Sequence, residues 1–250
     1  MEFILPDWDA PTHIKALTTT RAGGVSESPY AGLNLGDHVD DQPTSVAQNR
    51  SDLIQTLGLT RSPQWLNQVH GVDVVKAADN GAVPQADACW TDEACLACIV
   101  MTADCLPVFF TNADGSKVAV AHAGWRGLQQ GVLEATLKIF SPGDRVLAWL
   151  GPAIGPDAFE VGAEVREAFV GLGDQFAEGF SEQDQHGKYL ADLYHLARLK
   201  LTQAGVEHVF GGQYCTYNDP ERFYSYRRDG QTGRMASLIW IEERQVVDCE

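Results

Sequence analysis

The sequence is poor in positive charge. Its 18 lysines and arginines face 34 aspartates and glutamates, a formal net charge of -16 over 250 residues. Such a field repels polyanions, so nucleic acid and anionic membrane surfaces are excluded as expected partners. A small anionic substrate is compatible with it only where local arginines outweigh the global charge. Long apolar runs are also missing. None reaches the ~18 residues of a membrane span, and Met1 to Ala10 carries Glu2, Asp7 and Asp9 rather than a signal-peptide core. Cysteine is sparse and irregular, with six at positions 89, 95, 98, 105, 215 and 249. Reduced thiols in a cytoplasmic protein are expected. No linker rich in Pro, Gly or Ser divides the chain, and no repeat recurs. One domain over residues 1–250 is expected, as a monomer.

What is present is ordinary globular material, 44% hydrophobic, enough for a packed core. A polar, Gly-dotted stretch from Thr18 to Asp41 reads as a long ordered loop. Thr44 to Leu57 reads as a helix, with Val46, Leu53, Ile54 and Leu57 near helical spacing and Gly58 as its stop. Strands are expected at Trp65–Val75 (interrupted at Gly71), Cys95–Met101, Leu106–Phe110, Lys117–Ala121, Arg145–Leu150, Val206–Phe210 and Ser237–Glu242. Helices are expected at Gly127–Phe140, Glu164–Leu172 and Leu190–Ala204. Strands and helices alternate, so the class is α/β or α+β, built on a mixed β-sheet with flanking helices.

Three segments place a reactive side chain where an apolar strand gives way to a loop. They are Gln68-Val69-His70-Gly71, Thr102-Ala103-Asp104-Cys105-Leu106-Pro107 and Ala121-His122-Ala123-Gly124-Trp125-Arg126-Gly127. Strand ends are where α/β sheets collect ligand-binding groups. Two imidazoles and a thiolate suit zinc, and three protein ligands leave a fourth position open for chemistry. Packed polar residues at strand ends would look the same, because no CxxC or HxxxH spacing ties His70, Cys105 and His122 together. Cys95 and Cys98 form a CxxC by count. With no second pair they read as two core cysteines on one strand.

Other residues carry possible roles. Arg126 opens a helix and could hold an anion with the free backbone N–H groups there. Arg21 and Arg227 could add bidentate phosphate contacts, or make ordinary ion pairs. Asp104 could orient an imidazole, act as a general base together with Cys105 and His122, or merely cap a turn. Asn34 and Gln68 can both donate and accept, which suits purine edges and ribose hydroxyls. Tyr224 offers a stacking face.

The chain resembles the YfiH-type family, also called multicopper polyphenol oxidase or laccase-domain proteins. The resemblance runs nearly end to end. It is carried by Thr19-Thr20-Arg21-Ala22-Gly23-Gly24-Val25-Ser26, Leu33-Asn34-Leu35-Gly36, Asn67-Gln68-Val69-His70-Gly71 and the two later strand-end blocks. Gly151-Pro152-Ala153-Ile154-Gly155, Cys215-Thr216 and Phe223-Tyr224-Ser225-Tyr226-Arg227-Arg228-Asp229 complete it. It implies a zinc site at His70, Cys105 and His122 and an α/β fold on a mixed sheet. It also implies purine nucleoside phosphorylase activity on adenosine, inosine and methylthioadenosine with phosphate, and adenosine deaminase activity. Two alternatives stay open. One is a Cys-His or zinc amidase editing a cell-wall peptide precursor. The other is a copper-dependent polyphenol oxidase, since such a site can bind copper in vitro. Against the oxidase, the chain has seven histidines but no HxH pair.

Overall fold

The computed structural model describes residues 1–243, so Cys249 lies outside the described residues. The chain opens with β1 (Phe3–Ile4), β2 (Ile14–Thr19), α1 (Pro43–Thr56), β3 (Val74–Lys76) and β4 (Ala88–Thr91). The central segment holds β5 (Cys98–Thr102), β6 (Leu106–Asn112), β7 (Val118–Ala123), α2 (Trp125–Gln130), α3 (Val132–Leu137) and β8 (Val146–Leu150). There follow β9 (Glu160–Gly162), α4 (Ala163–Val170), β10 (Phe180–Glu182), β11 (Lys188–Ala191), α5 (Leu193–Gln203), β12 (His208–Gly211), α6 (Tyr226–Asp229) and β13 (Met235–Ile241).

These strands form three sheets. A six-stranded mixed sheet has the order β12-β8-β6-β7-β4-β3, a four-stranded antiparallel sheet β1-β2-β13-β5, and a small one β10-β11-β9. The expected mixed sheet is the first of these. Side-chain alternation along its strands explains how it packs. Val108, Phe110, Ala119 and Ala121 face a layer containing Leu133, Leu196 and Leu201 of α3 and α5. Phe109, Val118, Val120 and Trp149 face the other way, onto Cys98 and Val100 of β5 and Ile239 of β13. The outer face of the four-stranded sheet is covered by Leu53 of α1 against Leu17, Ile99 and Leu238. Each large apolar side chain buried between these layers contributes roughly 1.5–3 kcal/mol.

Several expectations needed correction. The strand foreseen at Trp65–Val75 survives only as β3, with isolated bridges at Gln64 and Asn67. Between them the backbone turns through His70 at φ 61. The helix foreseen at Gly127–Phe140 begins earlier, at Trp125, and breaks at Gly131, whose φ of 104 no helix tolerates. Cys95 is not on β5. It turns the chain at φ 61 and is half-buried, whereas Cys98 lies buried beside the Cys89 thiol. The loop expected from Thr18 begins only after β2. Among the described residues no helix is long and apolar enough to cross a membrane.

Candidate metal centre and its two cavities

The site forms where the two large sheets meet. The chain leaves β5 of one sheet at Thr102 and enters β6 of the other at Leu106, so Cys105 stands at the crossover. Asp104 makes that turn at φ 88, a left-handed conformation that Asp and Asn accept more readily than most residues. His122 is the penultimate residue of β7, opposite Pro107 of β6. By alternation it shares the inward face with Val118 and Val120, toward the four-stranded sheet. His70 comes from the loop before β3 and is exposed. The three residues each bring one donor atom to within 4.8 Å of the others. Sγ of Cys105 is 3.8 Å from Nε2 of His70, and the two imidazoles meet edge to face.

Asp87, which precedes β4 and is fully buried, holds this arrangement together. Its Oδ1 accepts from Nδ1 of His122 at 2.8 Å and from the His70 backbone N–H at 2.9 Å. Oδ2 accepts from the N–H groups of Gly71 at 2.7 Å and Val69 at 3.2 Å. One carboxylate therefore shapes the His70 loop and orients the His122 ring. With Nδ1 donating, the Nε2 lone pair of His122 is turned to the other donors. Sequence reading missed Asp87. The available signal was a lone charge among small residues, Ala86-Asp87-Ala88-Cys89, leading into a buried strand.

Electrostatics follow from this packing. Burial pushes the Asp87 carboxyl up, but the His122 ring and the amides of Gly71 and Val69 outweigh it and hold it below its ordinary value. Burial likewise pushes the Cys105 thiol up. The charges and hydrogen bonds of His122 and His70 overcome that and bring it down to about 6. At His122 burial acts downward, while Cys105 and Asp87 raise the ring to about 9. Without metal, the site at neutral pH is a thiolate–imidazolium pair.

The donors suit a metal ion. Two imidazole nitrogens and a thiolate match a three-ligand site with an open position, and the carboxylate behind His122 is the usual support of a ligating histidine. Gly124 leaves the donors their room. A Cβ there would lie 2.9 Å from Cδ2 of His70 and 3.0 Å from Sγ of Cys105.

Two cavities open on the triad, and Cys105, Ala103 and Tyr226 line both. The larger, about 370 Å³, is walled by His38, Gln68, Met101, Thr102 and Arg234. The smaller, about 240 Å³, is walled by Trp125, Phe159, Ile154 and Leu193, with Arg126 and Arg227 exposed in its wall.

The expected substrate residues divide. Arg126, Arg227, Gln68 and Asp104 reach these cavities. Gln68 spends its amide on both backbone groups of Met101, at 2.7 and 2.8 Å. Arg227 donates to the carbonyl of Glu160. Arg21, Asn34 and Tyr224 line neither cavity. Arg21 donates to the carbonyls of Pro220 and Ala31. Asn34 is buried and ties the loop through Gly36, Asp41 and Arg234. Tyr224 is wholly buried with its hydroxyl on the Tyr30 carbonyl, so its ring cannot stack on a ligand. Its neighbour Tyr226, 62% exposed, is the tyrosine that faces the cavities. Asp104 does not orient an imidazole. Its Oδ1 accepts from Oγ1 of Thr216 at 2.6 Å and its Oδ2 from the N–H of Arg227 at 2.7 Å. These partners lie 112 and 123 residues away, so Asp104 ties down the C-terminal segment rather than capping its own turn. Thr102 and Tyr226 stood within recognised blocks, whereas His38 and Arg234 carried no motif.

Known proteins share this architecture. A purine nucleoside phosphorylase of Pseudomonas aeruginosa is 52% identical over 242 residues, 96% of this chain and 99% of that protein. The purine nucleoside phosphorylase YfiH of Escherichia coli is 52% identical over 243 residues, with 96% and 99% covered. A crystal structure of a Neisseria meningitidis protein superimposes with a TM-score of 0.92 at 50% identity, covering 97% of this chain and all of that one. The family model described as multi-copper polyphenol oxidoreductase laccase matches residues 15–242. The chain belongs to this laccase-like YfiH family.

Proposed function

We propose that the chain is a zinc-dependent purine nucleoside phosphorylase acting on adenosine, inosine and methylthioadenosine. The observation that carries this reading is the convergence of His70, Cys105 and His122 where two cavities meet. A phosphorolytic site needs two reactants side by side at one centre, and the relatives named purine nucleoside phosphorylase supply the nucleoside. Zinc, when bound by these three residues, supplies a Lewis acid for a substrate oxygen. The protein's own groups do the rest. Asp87 holds His122 in one tautomer, Gly124 keeps the donors clear, and Tyr226, Trp125 and Phe159 offer aromatic surface for a purine. Among the described residues a single three-donor cluster of this kind occurs, which disfavours chemistry needing several coppers.

A second reading has its own observation. The Cys105 thiol at about 6 beside His122 is an activated nucleophile, as an amidase would use.

Incubating metal-replete protein with adenosine, with and without phosphate, separates the readings. Adenine formed only with phosphate, and lost on chelation, is the expected result. Inosine formed without phosphate indicates deamination. A Cys-His amidase would survive chelation and die on thiol alkylation. If neither adenine nor inosine forms at high enzyme concentration, the nucleoside reading is wrong.

A further inference from the structure

Arg234 has no carboxylate at ion-pair distance among the described residues. Arg50, Arg61, Arg222 and Arg228 each pair with a carboxylate. Arg234 makes no such pair among the described residues, although acidic side chains outnumber basic ones 34 to 18. Its Nη1 donates to the carbonyls of Thr232 and Gly233, at 2.9 and 3.0 Å. The side chain is half-buried, and burial pushes its pKa down. Beyond these carbonyls its charge meets the Tyr226 ring at 5.9 Å and the charges of Cys105 and Asp104 at longer range, so an anion in contact with the guanidinium would still be favoured there.

A second group in the wall of the same cavity lacks a hydrogen-bond partner. Thr102 is 1% exposed, and its Oγ1 has no hydrogen-bond partner. Both residues line the cavity of about 370 Å³ that opens on the triad. The sheet explains their meeting. Thr102 ends β5 opposite Met235, the first residue of β13, so Arg234 enters the same edge of the site.

Resting on the phosphorolysis reading above, we propose that Arg234 and Thr102 form an oxyanion subsite that holds inorganic phosphate against the triad. The nucleoside then lies on the other side of Tyr226, against Trp125 and Phe159. Arg126 is the weaker anchor for phosphate. It is exposed and stacks on Trp125 at 4.5 Å, so water already satisfies its charge. With the reactants so placed, a phosphate oxygen forms the bond to the ribose C1′ as the bond from C1′ to the purine nitrogen breaks. The electron pair of that bond leaves with the purine, which gains the proton that hydrogen phosphate carried. The products are free base and ribose 1-phosphate.

The test uses metal-replete protein, inorganic phosphate as the probe, and the variants Arg234→Gln, Arg234→Lys, Thr102→Val, Thr102→Ser and Arg126→Gln. Phosphate binding is measured by calorimetry without nucleoside, and the KM values of phosphate and adenosine are measured separately. Arg234→Gln should weaken phosphate by about tenfold or more, the usual worth of a charge-assisted contact, with less effect on the adenosine KM. Thr102→Val should move phosphate the same way by a smaller factor. Arg234→Lys and Thr102→Ser should each show a smaller loss than Arg234→Gln and Thr102→Val. If Arg126→Gln raises the phosphate KM while Arg234→Gln leaves it unchanged, the assignment is overturned. If wild-type protein binds phosphate through Arg234 but forms no ribose 1-phosphate, the subsite stands and the reaction reading falls. Wild-type protein that binds no phosphate overturns the subsite, whatever reaction it catalyses.

Discussion

Asp87 and Asp104 are both buried near the triad, and they hold different parts of the site. Asp87 gives its oxygens to the segments that carry His70 and His122. Asp104 gives its oxygens to Thr216 and to the backbone of Arg227, and so anchors the wall that carries Tyr226. One carboxylate builds the donors; the other builds the cavities around them. Nearness in sequence is a poor guide here. The aspartate adjacent to Cys105 serves the C-terminal segment, while the one that serves the histidines lies 17 and 35 residues from them.

The largest effect expected of this division is on the pH dependence of metal binding. Between about 6 and about 9, Cys105 is a thiolate and His122 still holds a proton. Metal must displace that proton, so affinity should fall about tenfold per unit, or roughly a thousandfold, as pH drops across this window. Calorimetry in buffers of different ionisation enthalpy should find about one proton released per metal at pH 7.5. Asp87→Asn should move the upper edge of the window down towards the ordinary histidine value, ~6.5. Asp104→Asn should leave it in place. In the metal-free protein the signs are opposite for the two groups. The raised His122 contributes stability present below ~6.5 and lost as pH rises through about 9. The depressed Asp87 contributes stability present above ~3.9 and lost as pH falls through its folded value.

Asp87→Ala comes next. It strands buried donors and should cost ~3–5 kcal/mol in urea unfolding, with a ~10–100-fold loss of metal affinity. Gly124→Ala pushes a methyl between His70 and Cys105. A competitive chelator titration should show about a tenfold weaker metal site, the result of overpacking worth ~1–3 kcal/mol. Asp104→Ala should be mildest at the metal, within about a factor of two, because neither imidazole rests on it. Its cost of ~1–3 kcal/mol in stability should come with a higher adenosine KM as the Tyr226 wall loosens. If Asp104→Ala lowers metal affinity as much as Asp87→Ala does, the division between the two aspartates collapses.

The donors themselves were legible because the signal was local. His122 closes an apolar strand, Cys105 follows one, and a recognisable block of sequence surrounds each of His70, Cys105 and His122. The central strands were legible for the same reason, since β5, β6 and β7 are buried along their whole length. What failed depended on distant partners. Asn34 and Tyr224 carry the right chemistry, but buried contacts from across the chain consume it. The strand foreseen through His70 failed because a side chain 17 residues away takes its backbone N–H groups. Short strands such as β9, β10 and β11, of three or four residues, hold too few residues for a period to register. Arg234 was invisible because its significance is the lack of a carboxylate at ion-pair distance among the described residues, and a sequence does not record what a side chain fails to meet.

The unequal mounting of the two histidines has a kinetic consequence. His122 is fixed in β7 at 3% exposure, hydrogen-bonded on ring and backbone. His70 is exposed on a loop whose main restraint is one carboxylate. Loops of this kind open far more often than core strands. Metal should therefore escape by releasing His70 first, and its residence time should follow the opening of residues 68–71 rather than global unfolding. Hydrogen exchange at the amides of Val69, His70 and Gly71 should then run in step with the dissociation rate of the ion, while exchange along β7 stays slower than either.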